Sequence, residues 1–417
     1  MNISDKARET VWTAERGLQD AFRRADAVEM AVTMRVLEAF RQERVSSRHF
    51  APSTGYGYDD IARDTLDRVF ALAMQAEGAL VRPQFVNGSH ALFTALAGLT
   101  EPGDTILSLS GAPYDTLEQA IGLSGDAPNS LKRLGIGFRA VALDEDGHVR
   151  LDDCLEALAA CAARVVYLQR SRGYAWRSAI SIADMEGVFQ AIRNKHPDVT
   201  ILVDNCYGEF VEAREPCAVG ADLVAGSLIK NPGGGLAPTG GYVAGRADCV
   251  ERVAQRLTLP GMGAEVGSYA GDYRPFYQGL FMAPHTVAQC VKGAALFAAV
   301  FESLGFETLP VSTAPRTDII QALRFSSAEA LKAFCRSIQQ AAPVDSFAVP
   351  EPWDMPGYAV PVIMAAGTFV QGATSELSAD GPMSEPYTAY LQGALSYAHA
   401  RIAAMLACDA LFSVGNA

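Results

Sequence analysis

Between residues 81 and 228, short β-like runs alternate with segments of helical period, and that alternation leaves few folds open. VRPQFV is followed by the helix-like HALFTALAGL, DTILSLS by YDTLEQAIGL, and ARVVYLQRS by SIADMEGVFQAIRNKH; VTILVDN and DLVAGSL complete the series. Strands separated by crossover-length helices predict an α/β fold with a mostly parallel, doubly wound sheet covered on both faces. At 417 residues the chain exceeds the roughly 250–300 over which one hydrophobic core keeps growing, so two domains are expected.

The flanking segments read differently. Residues 1–50 form an N-terminal segment with one or two amphipathic helices over 5–46, residues 51–285 the large domain, and residues 286–417 a linking helix from about Thr286 to Ser303 plus a smaller α+β domain. In that last part TDIIQALRF and YAVPVIMAA (358–366) read as strands, and SSAEALKAFCRSIQQAA and SEPYTAYLQGALSYAHARIAAMLACDA as helices. The loop APSTGYGYDD separates the first segment from a helical period that resumes at Ile61.

Charge narrows the partners. Against 34 Lys and Arg stand 47 Asp and Glu, a net charge of −13 with no long basic run, which argues against nucleic acid or an anionic membrane. The uncharged apolar runs are short and broken by glycine, and the N-terminus lacks a continuous apolar stretch of signal-peptide type, so a cytoplasmic location is expected. Eight cysteines without CxxC or Cys/His spacing read as reduced core residues, with no metal site and no disulfide framework.

Four features at predicted strand or helix ends combine into one chemistry. Asp204 closes the strand VTILVDN, where ligands of a doubly wound sheet lie. Lys230 follows DLVAGSL and heads a glycine-rich tract; a strand, a short turn and a second strand would bring both side chains to one sheet edge, and an amine buried among apolar neighbours would have a lowered pKa and serve as a nucleophile. Gly88 and Ser89 open a helix whose exposed amides suit a phosphate, with Ser227 able to add a hydroxyl. Tyr114, at a strand-to-helix turn, could stack on a flat ring. Taken singly each has a plainer reading: a turn residue, a surface lysine, a serine cap, a packing aromatic. Taken together, amine, acid, phosphate cradle and ring are the parts a pyridoxal 5′-phosphate (PLP) enzyme needs, the lysine for a Schiff base and the acid for the pyridine nitrogen.

The ordered motifs NGSHA, APYDT, VDNCYGEF, GSLIKNPGGGLAPTGGYVAG, YRPFYQGLFMAPHTVAQ and GTFVQGATSELSADGP resemble those of the methionine gamma-lyase-like family, often labelled aluminium resistance protein, over roughly residues 20–410. The resemblance implies an aspartate aminotransferase-like fold (PLP fold type I), a large PLP domain, a small C-terminal domain, and a homotetramer built as a dimer of dimers with active sites shared between subunits. It implies Lys230 as the Schiff-base residue, Asp204 as partner of the ring nitrogen, Gly88, Ser89 and Ser227 as phosphate ligands, and Tyr114 as the stacking and proton-transferring ring. By similarity to cystathionine lyases, Tyr56 or Tyr58 would reach the neighbouring subunit's phosphate, a surface turn being the plainer reading. Those lyases hold the substrate carboxylate with an arginine of the C-terminal domain, and GTFVQGATSELSADGP contains none. Arg170, Arg172 and Arg177, which follow a predicted strand, and Arg274 are the candidates, solvated arginines being the alternative. The activity expected is PLP-dependent β- or γ-elimination from a sulfur-containing or similarly substituted amino acid; an aldolase, an aminotransferase and a non-catalytic PLP-binding protein are the rivals.

Overall fold

The computed structural model describes residues 2–355 and 360–415; the first two residues of the strand expected over 358–366 lie outside them. Strands β1 (Gly78–Arg82), β2 (Thr105–Ser108), β3 (Gly137–Ala140), β4 (Val165–Gln169), β5 (Thr200–Asp204), β6 (Leu223–Ser227) and β7 (Gly241–Gly245) make one seven-stranded sheet in the order β1-β7-β6-β5-β4-β2-β3. Only β7 runs against the others, pairing antiparallel with both β1 and β6. The centre of the sheet is buried on both faces, which is why VVYLQ, TILVD and LVAGS read as continuous apolar runs.

Helices α1 (Asp5–Glu15) and α2 (Gln19–Gln42) precede this sheet. One face of the sheet is covered by α3 (Ile61–Ala73), α6 (Leu151–Cys161) and α7 (Ile182–Lys195), and the other by α4 (Gly88–Leu99), α5 (Asp115–Ile121) and α8 (Ala247–Leu257). Successive residues of one strand feed opposite cores: Val166 and Leu168 pack with Leu155, Met185 and Phe189, while Val165 and Tyr167 pack with Leu92, Leu96 and Val253.

A single 30-residue helix, α9 (Arg274–Ser303), then crosses to the second domain. Its first half (Phe276, Tyr277, Leu280, Ala283) belongs to the large-domain core and its second half (Leu296, Phe297, Val300, Phe301) to the small-domain core. The N-terminal segment is divided likewise, Ala7 and Val11 of α1 packing in the small-domain core and Val32 and Val36 of α2 in the large. The small domain is an antiparallel sheet of β8 (Glu307–Leu309), β9 (Gln321–Arg324), β10 (Val362–Ala365), β11 (Ser378–Pro382) and β12 (Thr388–Gln392), in the order β10-β11-β12-β9-β8. Helices α10 (Ala328–Ala341) and α11 (Tyr397–Ser413) pack on one face of it.

Several expected boundaries are corrected. The linking helix begins at Arg274 rather than Thr286, because Pro284 lies within the helix and does not end it. The helix expected over SEPYTAYLQGALSYAHARIAAMLACDA is in fact β12, a turn and α11: TAYLQ is buried along its whole length between β9 and β11. The strand expected at 81–86 starts at Gly78 and ends at Arg82, and the glycine-rich tract after Lys230 contains β7. Among the described residues no helix is long and apolar enough to cross a membrane. All eight cysteines are free, and six of them are buried.

Candidate active site

Asp204 ends β5 and Ser227 ends β6. The two strands are parallel neighbours with Asp204 opposite Ala225, so both ends open on the same edge of the sheet. They are joined not by the short turn expected but by residues 205–222, which include the 3₁₀ turn Pro216–Val219. Lys230 follows Ser227 through a turn in which its amide donates to the Ser227 carbonyl at 3.4 Å. The Lys230 Nζ then lies 3.7 Å from the centroid of the Tyr207 ring, a cation–π contact.

Asp204 is 3% exposed. Its Oδ1 accepts from the Cys206 amide at 3.0 Å and its Oδ2 from the Tyr167 hydroxyl at 3.5 Å. Burial raises its carboxyl above the ordinary carboxylate range, with the Lys230 charge pulling it back. Burial depresses the Lys230 amine, but the acidic groups gathered round it, Cys206, Tyr207, Asp204 and Tyr114, outweigh burial and hold the amine above its ordinary value. The lowering expected from sequence is therefore overturned. The neighbours of Lys230 are not only apolar residues and glycine: a carboxylate emerging from the adjacent strand faces it, and amine and acid hold each other charged.

The start of α4 completes the edge. Asn87 is the cap, its Oδ1 accepting from the His90 amide at 2.9 Å, so Ser89 is released from capping and its Oγ accepts from the Tyr114 hydroxyl at 2.9 Å. The first-turn amides of Gly88 and Ser89 have no partner inside the helix. A Cβ on Gly88 would lie 3.1 Å from the Ser227 Cβ and 3.3 Å from the Cys206 sulfur, so glycine is what lets the helix end approach β6. Gly88, Ser89, Ser227, Tyr114, Asp204 and Lys230 thus gather at one place. Tyr114 is held as a neutral phenol, its pKa raised by burial and then by Asp204.

The arginines separate. Arg170 is fully buried and committed to the fold, donating to Asn205 Oδ1 at 2.9 Å, the Gly208 carbonyl at 2.8 Å and Glu212 Oε2 at 2.5 Å, which removes it from the candidates. Arg274 sits at the exposed start of α9, 3.2 Å from Asp272. Arg177 is bound to the Ser171 and Ser178 carbonyls, its pKa lowered to about 10 by burial. Arg172 donates to the Leu309 carbonyl at 2.8 Å and lies 3.6 Å from Asp318 through an Nε that makes no hydrogen bond. Tyr56 and Tyr58 lie apart from the cluster on an outer loop, 67% and 56% exposed, their rings stacked at 5.5 Å.

Sequence reasoning passed over Tyr207, Cys206 and Tyr167, which contact the central pair. VDNCYGEF carried the first two in plain view, but only the left-handed backbone at Tyr207 (φ 70°) turns its ring under the amine, and no residue type at that position signals it.

An edge that presents an amine, a buried acid and an anion-ready helix end on a mostly parallel sheet belongs to a known architecture. The Escherichia coli protein YhfS, described as pyridoxal-5′-phosphate dependent, superposes with a TM-score of 0.63 at 17% identity, over 93% of this chain and 96% of that one, and the shared fold is that of fold type I PLP enzymes. Within that class the chain belongs to the methionine gamma-lyase family, whose sequence model matches residues 7–412. It is 46% identical to the Bacillus subtilis (strain 168) protein YnbB over 405 residues, 97% of this chain and 96% of that protein. A carbon-sulfur lyase involved in aluminium resistance from Clostridium novyi NT superposes with a TM-score of 0.94 at 47% identity, covering 97% of this chain and 96% of that one.

Proposed function

We propose that the protein is a PLP-dependent carbon–sulfur lyase that cleaves a sulfur-containing or similarly substituted amino acid by β- or γ-elimination. The observation that carries this reading is the convergence of Lys230, Asp204 and the Gly88–Ser89 helix end with Ser227 at one sheet edge. Family membership and the description of the Clostridium novyi protein support it. The donor set fits the cofactor: a lysine for an aldehyde, an acid for a pyridine nitrogen, and amides and hydroxyls for a phosphate.

Bound there, PLP supplies an electron sink for the carbanion formed at the substrate's Cα. Gly88, Ser89 and Ser227 would hold the phosphate and Asp204 the ring nitrogen. Lys230 would hold the aldehyde and, as a free amine, take the proton from the substrate Cα. Tyr114, kept as a phenol beside Ser89, would give its proton to the leaving sulfur. Of the four arginines, Arg172 is the one we assign to the substrate carboxylate: it follows β4 at the active edge and, unlike Arg170, gives its guanidinium NH groups to no carboxylate among the described residues, only to the Leu309 carbonyl. Tyr56 and Tyr58, free of their own site, would serve a neighbouring subunit's phosphate in a homo-oligomer, a dimer of dimers.

The test is direct. Protein incubated with PLP, reduced with borohydride and digested should carry the cofactor mass on the peptide containing residue 230, and a panel of sulfur amino acids should yield an oxo acid and a thiol together. Cofactor fixed on another lysine, or no oxo acid from any member of the panel, would overturn the reading. Gly88→Ala should weaken cofactor retention about tenfold while leaving the melting temperature within a few degrees, because the added methyl presses on Ser227 where the phosphate would sit. Equilibrium dialysis measures this, and unchanged retention would remove Gly88 from the cradle.

A further inference from the structure

The antiparallel sheet of the small domain has two unlike faces. Ala379, Ala389, Leu391, Leu323 and Ile363 point into the core under α10 and α11. The alternate residues point the other way, toward the large domain, where Tyr390 and Ala322 pack against Tyr174, Trp176 and Tyr207. Asp380 is on this second face, directly opposite Tyr390 in the ladder, with Gln392 two residues further along β12.

A carboxylate in the middle of such a face is costly, since an apolar side chain would pack there without any desolvation penalty. Its protein partners answer only part of it. The Tyr174 hydroxyl donates to it, and Gln392 Nε2 stands at 3.5 Å, the limit of a hydrogen bond. Asp380 is half-buried on this domain-facing side of the sheet. Burial pushes its pKa up to about 6, which leaves it an anion at neutral pH. This side of the sheet is also the side of the amine: Tyr207, whose ring lies 3.7 Å from Lys230 Nζ, packs against the Tyr390 cluster and senses the Asp380 charge, and Tyr174 stacks on Tyr390 at 5.1 Å.

A carboxylate set among aromatic faces is the arrangement that recognises an ammonium. We infer that Asp380 binds a positively charged group on the leaving side of the substrate, so the preferred substrate is an amino acid whose sulfur substituent ends in an ammonium. Tyr174, Tyr207 and Tyr390 line the approach, and Lys230 works on the substrate's Cα at the other end. The inference rests on the lyase reading for the word "leaving"; the binding preference itself does not.

Two nearly isosteric probes separate the possibilities: S-(2-aminoethyl)-L-cysteine, which ends in an ammonium, and S-propyl-L-cysteine, which ends in a methyl. Each is titrated into the holoenzyme while the cofactor's visible absorbance reports Kd, and thiol and oxo-acid release are followed in the same samples. The aminoethyl compound is expected to bind about tenfold more tightly than the propyl compound, as a partly desolvated ion pair with aromatic walls allows. Asp380→Asn should bring that ratio close to unity by weakening the aminoethyl compound alone. Equal Kd values for the two probes in the wild type overturn the inference, whether or not the variant folds. So does an Asp380→Asn variant that weakens both equally, which is what a purely structural tie to Tyr174 would do. If neither probe releases thiol, the lyase reading fails for these compounds, and the Kd ratio still decides the role of Asp380.

Discussion

Replacing Lys230 with alanine is expected to lower turnover by a factor of about 10²–10⁴ or more while leaving the protein folded. The amine contributes little to the fold: its described contacts are the Tyr207 ring at 3.7 Å and the charge of Asp204. Its loss removes a buried cation, which helps, and deprives buried Asp204 of its counter-charge, which does not, and the pull that Lys230 exerts against burial on that carboxyl is gone. The two effects oppose each other, so the melting temperature should move by only a few degrees. Turnover has no such compensation, because among the described residues no other lysine stands at this edge. Oxo-acid release measured at saturating PLP, beside circular dichroism melting, checks both halves. A variant that keeps turnover within tenfold of the wild type would mean that another group takes the Cα proton, and the assignment would fall.

The second large effect concerns stability. Glu209 is fully buried beneath β6, its Oε1 accepting from the Tyr242 hydroxyl at 2.9 Å, and a Cβ on Gly226 would lie 2.6 Å from that same oxygen. Its backbone carbonyl accepts from Asn231 Nδ2 at 2.9 Å, which ties it to the residue after Lys230. Burial pushes its pKa from an ordinary 4.5 to about 8; the Tyr242 hydrogen bond and Lys230 pull it down, and Glu215 adds to the rise. The folded state therefore keeps the proton after the unfolded chain has lost it. Stability from this group is full below about pH 4.5 and falls as pH rises toward about 8, by an amount on the order of 2–5 kcal/mol. Glu209→Gln reproduces the shape of the neutral acid and cannot ionise. It should leave stability nearly unchanged at pH 5 and raise it by about 2–5 kcal/mol at pH 8.5, flattening the pH dependence of denaturant unfolding. Parallel pH profiles for wild type and variant would show that Glu209 ionises freely in the folded protein.

What could be read from sequence followed the physics of each element. Strands buried on both faces announce themselves as unbroken apolar runs, so β4, β5 and β6 were legible, and with them the edge on which Asp204 and Lys230 meet. β7 was not, since GYVAG looks like loop until β1 and β6 flank it. β12 was lost in a helical period that only tertiary pairing with β9 overrides. At the site, residues defined by chemistry were recognisable, whereas those defined by position were not. The cap is Asn87 rather than Ser89, and the amine is held up by its neighbours rather than pushed down by burial. Which arginines are spent on the fold, as Arg170 is, depends on carbonyls and acids 35 to 42 residues away in the chain.

The continuity of α9 has a mechanical consequence. At about 1.5 Å per residue the helix is a rod of about 45 Å, clamped at one end in the core that carries Lys230 and at the other in the core that carries Asp380. Such a rod resists folding in the middle, so the two domains cannot part without bending it. Pro284 removes one rung of the helix's hydrogen-bond ladder within the stretch that the large-domain core grips, between Ala283 and Val287. The missing rung is thus braced by packing, and the free span between the two cores, from Val291 to Ala295, keeps an unbroken ladder.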